Sequence, residues 1–135
     1  MRFKLALATT AFLSAATMAS HAACSRCAPI QDVSDAPVPS APGKPLSSED
    51  VKKAIMRAGA TLGWKMNSDN PGKVVGTLNI RTHTAVVEIP YSPRSYSINY
   101  KSSVNLEASE GKIHNNYNGW VKNLAKGIDA QLANP

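Results

Sequence analysis

The chain has 135 residues, 43% of them hydrophobic and 18% charged, with a formal net charge of +6. That length bounds it to one domain with a modest core, which excludes an enzyme that spends much of its apolar material on a deep, water-free cleft. The basic residues are scattered and form no Lys/Arg-rich run, which excludes the contiguous basic patch that nucleic-acid binding uses.

Met1-Arg2-Phe3-Lys4 is a short cationic start, and residues 5–18 form an apolar run broken only by small hydroxyl residues. This is a secretory signal in form. The run falls short of the roughly 20 apolar residues that cross a bilayer, and small residues follow it, so residues 1–23 are expected to be a cleaved signal peptide. Without Arg2 and Lys4 the chain keeps 13 basic and 9 acidic residues, a net charge of +4. Such a mild positive field supports weak attraction to an anionic envelope polymer or lipid head group.

Two processing routes compete at this point. Ser20-His21-Ala22 satisfies the small-x-small rule and would release a soluble periplasmic chain starting at Ala23. His21-Ala22-Ala23-Cys24 resembles a bacterial lipobox, with His21 where an aliphatic residue is usual. The second route makes Cys24 the lipid attachment site, and Ser25, being other than Asp, then by resemblance to such lipoproteins favours the outer membrane. Cys24-Ser25-Arg26-Cys27 also has the Cys-x-x-Cys spacing of redox and metal sites. A redox motif of this kind works at a helix N-terminus, whereas Pro29 and the prolines beyond it disfavour a helix. A zinc site needs two further ligands, and only His83 and His114 remain. Lipid attachment with Cys27 incidental, or a local disulfide in an oxidising compartment, is the simpler expectation.

Residues 24–46 hold Pro29, Pro37, Pro39, Pro42 and Pro45 among Ser, Asp, Ala and Gly, and read as an extended tether that stays out of any sheet. The folded domain is expected over residues 47–135. Ser47 and Asp50 make a capping pair ahead of Val51, Ala54, Ile55, Ala58 and Leu62, a helical repeat that Gly63 can end. Alternating runs then predict four antiparallel strands. Trp64 and Met66 share a face in the first; Val74, Leu78 and Ile80 do so in the second, with Gly76 leaving a gap for a large neighbour. Ala85, Val87, Ile89 and Tyr91 mark the third, and Tyr96, Ile98 and Tyr100 the fourth. Ile113, Tyr117, Trp120, Val121, Leu124, Ile128 and Leu132 follow the helical period to the end. The expectation is an α+β two-layer sandwich: a four-stranded antiparallel meander with both helices on one face, in the order α-β-β-β-β-α.

Ile89-Pro90-Tyr91-Ser92, Tyr96-Ser97-Ile98-Asn99-Tyr100 and Lys112-Ile113-His114-Asn115-Asn116-Tyr117-Asn118-Gly119-Trp120 resemble a family of small, uncharacterised proteobacterial lipoproteins. The resemblance covers most of the chain after residue 23, including Arg26-x-Ala28-Pro29-Ile30. It implies the lipid anchor at Cys24, and no reaction, cofactor or partner beyond the membrane.

Catalytic signatures are missing from the sequence: there is no Gly-x-Ser-x-Gly, His-Glu-x-x-His or P-loop. No catalytic residue, metal or cofactor is expected. The polar residues near strand ends and the last helix, His114, Asn118, Arg94 and Glu88, are the candidates for contact with a ligand or partner. The competing bland expectations are that His114 caps a helix boundary and that Glu88 pairs across strands with Lys101. The favoured function is a non-enzymatic, outer-membrane-anchored envelope protein that presents its polar sheet face or a strand edge to another envelope component. The alternative is a small periplasmic hydrolase or ligand-binding module built on His114 and Arg94.

Overall fold

Ser47 begins the first helix as the sequence predicts. Its Oγ accepts the Asp50 N–H at 3.1 Å, and Asp50 Oδ2 accepts the Ser47 N–H at 3.0 Å, which satisfies two of the amides that a helix start leaves open. The computed structural model describes Ser14, residues 23–40 and residues 42–135, so almost all of the expected signal peptide lies outside it. In chain order the elements are β1 (Cys27–Pro29), β2 (Val33–Pro37), α1 (Ser48–Thr61), β3 (Lys65–Asn70), β4 (Lys73–Ile80), β5 (His83–Pro90), β6 (Ser95–Val104), β7 (Lys112–His114) and α2 (Asn116–Ala133).

The fold is α+β, with a five-stranded antiparallel sheet ordered β2-β6-β5-β4-β3 and a two-stranded sheet of β1 and β7. The four expected strands are present as β3 to β6, but the strand count needs correcting. Residues 24–46 are not a free tether, because they supply β1 and β2, and Val38 beyond them is buried. Pro29 and Pro37 each close a short outer strand, where a missing N–H costs the ladder least. A bulge between Val33 and Ala36, centred on Asp35 with φ 48°, shifts the apolar spacing from two to three and hides the strand from a periodicity test. Ile113 is a second correction. It lies in β7 opposite Ala28, and α2 begins only at Asn116.

One apolar cluster joins the sheet to both helices. Val74 and Leu78 of β4, Ala85, Val87 and Ile89 of β5, and Tyr96 and Ile98 of β6 are buried with Val51, Ile55 and Ala58 of α1 and Tyr117, Val121, Leu124, Ile128 and Leu132 of α2. Gly63 ends α1 with φ 87°, a conformation that glycine takes without strain. At Gly76 the expected gap is filled by Trp64: a Cβ there would come within 3.3 Å of the indole and 3.2 Å of the Met66 sulfur.

Candidate functional site

The cysteine corner opens the described chain. A turn brings Cys24 and Cys27 to 5.3 Å between Cα atoms, and the two are joined as a disulfide. Glu107 reaches the pair from a loop 83 residues away, its Oε2 standing 3.0 Å from Cys24 Sγ. A sulfur in a disulfide has no proton to donate, so this is a close approach and not a hydrogen bond. The loop is held in unusual backbone: Asn105, Glu107, Glu110 and Gly111 all have φ between 52° and 76°. The donor atoms of Cys24, Cys27 and Glu107 lie within 4.8 Å of one another. In this state both sulfurs are consumed by their mutual bond, which leaves the carboxylate as the one anionic donor. A lipid thioether at Cys24 would use the same sulfur, so lipidation and the disulfide exclude one another. Nothing in the local sequence points to Glu107; its place depends on the loop between β6 and β7.

His114 and Asn118 stand at the start of α2, and both are occupied structurally. The Asn115 side chain does not cap the helix; His114 Nδ1 instead accepts the Asn116 N–H at 3.3 Å. The His114 backbone N–H donates to the Leu106 carbonyl, and Cys27 is its partner across the β1–β7 ladder. Asn118 is almost fully buried. Its Oδ1 accepts the Gln31 N–H at 3.0 Å, and its Nδ2 donates to the Pro29 carbonyl at 3.0 Å and to Asn115 Oδ1 at 3.3 Å. It therefore fastens the β1–β2 connection to α2. Asp32 adds a second fastening by accepting the Tyr100 N–H at 2.9 Å.

Arg94 is elsewhere. It sits in the turn before β6 and borders a concavity with Val38, Pro39 and Leu46, two of which also border Leu132 near the end of α2. The 18 residues of α2 span about 27 Å, so Arg94 and His114 lie toward opposite ends of that helix. The structure does not assemble them into one site.

Glu88 belongs to the polar face of the sheet. Its Oε1 lies 3.2 Å from Lys101 Nζ and 3.3 Å from Lys73 Nζ, and these two hydrogen bonds, Lys101's first, hold its carboxyl below the usual range. The expected pairing with Lys101 is present, and Lys73 completes a three-strand cluster over β4, β5 and β6. Asn67, Val75, Glu88 and Asn99 form one row across this face, and Lys65, Thr77, Val86 and Ser102 form the next. Beside β3 the face is concave, with an open hollow of about 580 Å³ bordered by Asn67, Val75, Thr77 and Asn79.

Burial raises the hydroxyl pKa of both core tyrosines. Tyr96 also donates to Asp129 Oδ1 at 2.7 Å, which raises it further. Tyr117 packs edge-on against Tyr100, with ring centroids 5.6 Å apart, and the nearby Asp32 carboxylate adds to its rise. These side chains face the core, as their strand and helix periods predict, and offer no ligand platform. Compared with known proteins, the chain matches no protein-family model, no characterised protein and no solved structure.

Proposed function

We propose that this is an exported cell-envelope protein whose domain works by contact and not by catalysis. Both helices cover one face of the sheet and leave the polar face to another envelope component, a protein or an anionic polymer. The observation that carries this reading is the separation of roles: His114 and Asn118 hold the N-terminal strands in place, Arg94 is remote from them, and the polar side chains converge on the open face around Glu88. Lys65, Lys73 and Lys101 on that face favour an anionic partner. Photo-crosslinkers at Thr77 and Ser97 should trap an envelope component other than the protein itself, and one at Ser40 should not. Equal yields at all three positions would remove the basis for the reading.

Outer-membrane attachment through Cys24 is the location that fits the Ala22-Ala23-Cys24-Ser25 stretch and the lipoprotein resemblance. A second reading, a soluble periplasmic chain beginning at Ala23, is favoured by the Cys24–Cys27 disulfide, a bond that persists in oxidising compartments. The full chain, expressed with its leader and fractionated, separates the two. An anchored protein is found with membranes, carries a lipid on its N-terminal cysteine and becomes soluble as Cys24→Ala. An unmodified Ala23 terminus, two hydrogens lighter than the dithiol, supports the soluble form and rejects the anchor.

A further inference from the structure

A Cys-x-x-Cys pair needs further ligands before it can hold a metal, and the fold supplies one that the sequence hides. Glu107 comes from the loop between β6 and β7, and its carboxylate joins Cys24 and Cys27 so that one donor atom from each lies within 4.8 Å of the others. The three border an open hollow of about 350 Å³, with Glu110 and Lys112 on its walls. Two carboxylates against one ammonium leave the hollow net negative before either sulfur is counted. The loop is pinned on both sides of Glu107. Leu106 is buried and its carbonyl accepts the His114 N–H at 2.9 Å, while Ser109 and Lys112 exchange two N–H···O bonds of 3.0 Å.

Reduction turns the two sulfurs into ligands. A dithiol reductant passes two electrons and two protons to the Cys24–Cys27 bond and closes into its own disulfide. The two thiols then release their protons to solvent as they take up a divalent cation. Tetrahedral zinc, with bonds to sulfur of about 2.3 Å, sets its sulfurs about 3.8 Å apart. A Cα separation of 5.3 Å is wide enough for that spacing. Thiolate ligands select zinc over magnesium or calcium, which take oxygen. His114, opposite Cys27 in the β1–β7 ladder, stays outside the set: its Nδ1 accepts the Asn116 N–H, which leaves the ring proton on Nε2. Water fills the fourth place, as it does at zinc with three protein ligands.

We propose that the reduced corner is a zinc site with Cys24, Cys27 and Glu107 as ligands, and that disulfide formation closes it. Oxidation of the loaded site by a disulfide reagent restores the Cys24–Cys27 bond, takes up two protons to give two thiols on the reagent, and releases the ion. Retention of the metal is thereby tied to the redox state of the compartment. The site rests on the soluble reading of the N-terminus, since a thioether at Cys24 removes one ligand.

The exported chain tests this once its N-terminus has been identified by mass. It is reduced with a dithiol, freed of the dithiol without air, and titrated with zinc, with cobalt(II) as an optical reporter of metal–sulfur bonds. Reduced wild type should bind one zinc per chain and lose it on reoxidation. Glu107→Gln should weaken zinc binding by roughly tenfold or more, and Cys27→Ser should abolish it. Glu110→Gln, which leaves the three ligands in place, should have a much smaller effect. A shared urea midpoint for oxidised wild type and Glu107→Gln shows that the variant is folded. Reduced wild type that takes up no zinc, a disulfide form that binds as well as the dithiol, or unchanged affinity in Glu107→Gln would overturn the proposal. Found on a chain that starts at Ala23, those results reject the metal site alone; a lipid on Cys24 rejects the soluble reading with it.

Discussion

Asn118 is the one amide side chain buried in the described core, and its environment explains how it can be there. Burying an amide is tolerable when its oxygen and its nitrogen are both paired, and both are. Asn118→Ala would strand the Gln31 N–H and the Pro29 carbonyl, which predicts a loss of about 2–4 kcal/mol. Urea unfolding measures that loss, and faster amide exchange at Gln31 would tie it to the N-terminal segment. Glu88 behaves differently because it is solvated. Its carboxyl is held below the ordinary value by two lysines, so its contribution is fully present above about pH 5 and disappears as pH falls through the lowered folded value. The melting-temperature difference between wild type and Glu88→Gln should therefore be small at neutral pH, shrink with added salt and vanish in acid. A difference that grows in acid would contradict this sign.

At the scale of the elements, β2 carries the sharpest test of how the N-terminal region is built. Val38, just beyond it, is 7% exposed. Val38→Ala would remove two buried methyl groups and leave a cavity, at a cost of about 2 kcal/mol; a tether position would cost nothing. The urea midpoint with an unchanged slope reads the difference. α1, β4 and β5 are legible in the sequence because each has an uninterrupted period, and β3 and β6 because the period runs far enough before a bulge breaks it; each also has a recognisable stop, a capping pair and Gly63 for the helix and turn residues between the strands. β1 and β2 are not legible, because three residues are too few to show a period and a bulge breaks the other one. Ile113 misleads for a related reason. It lies four residues before Tyr117 and so fits the helical repeat, while its real partner, Ala28, is 85 residues away in the chain. Of the candidate site, the Glu88–Lys101 pair could be read from strand alternation, and Lys73 follows once the register is known. The meeting of Glu107 with the two cysteines could not, since only tertiary closure creates it.

For the molecule as a whole, the two ends of the described chain are stitched together. β1 lies against β7, β2 against β6, and Asn118 holds Pro29 and Gln31 from the far side. These contacts span from 58 residues of sequence, between Pro37 and Ser95, to 89, between Pro29 and Asn118. Closing so long a loop costs chain entropy before the contacts can offset it, which makes this closure a late step in folding. A polypeptide emerging with its first residues ahead has its β1 segment long before β7 and α2 exist to receive it. Until the chain has appeared as far as Asn118, that leading segment has nothing to dock on and stays open to processing enzymes. The same stitching that makes the finished domain a single unit thus leaves an interval in which its N-terminus can be cut or modified, and ends that interval when the last helix arrives.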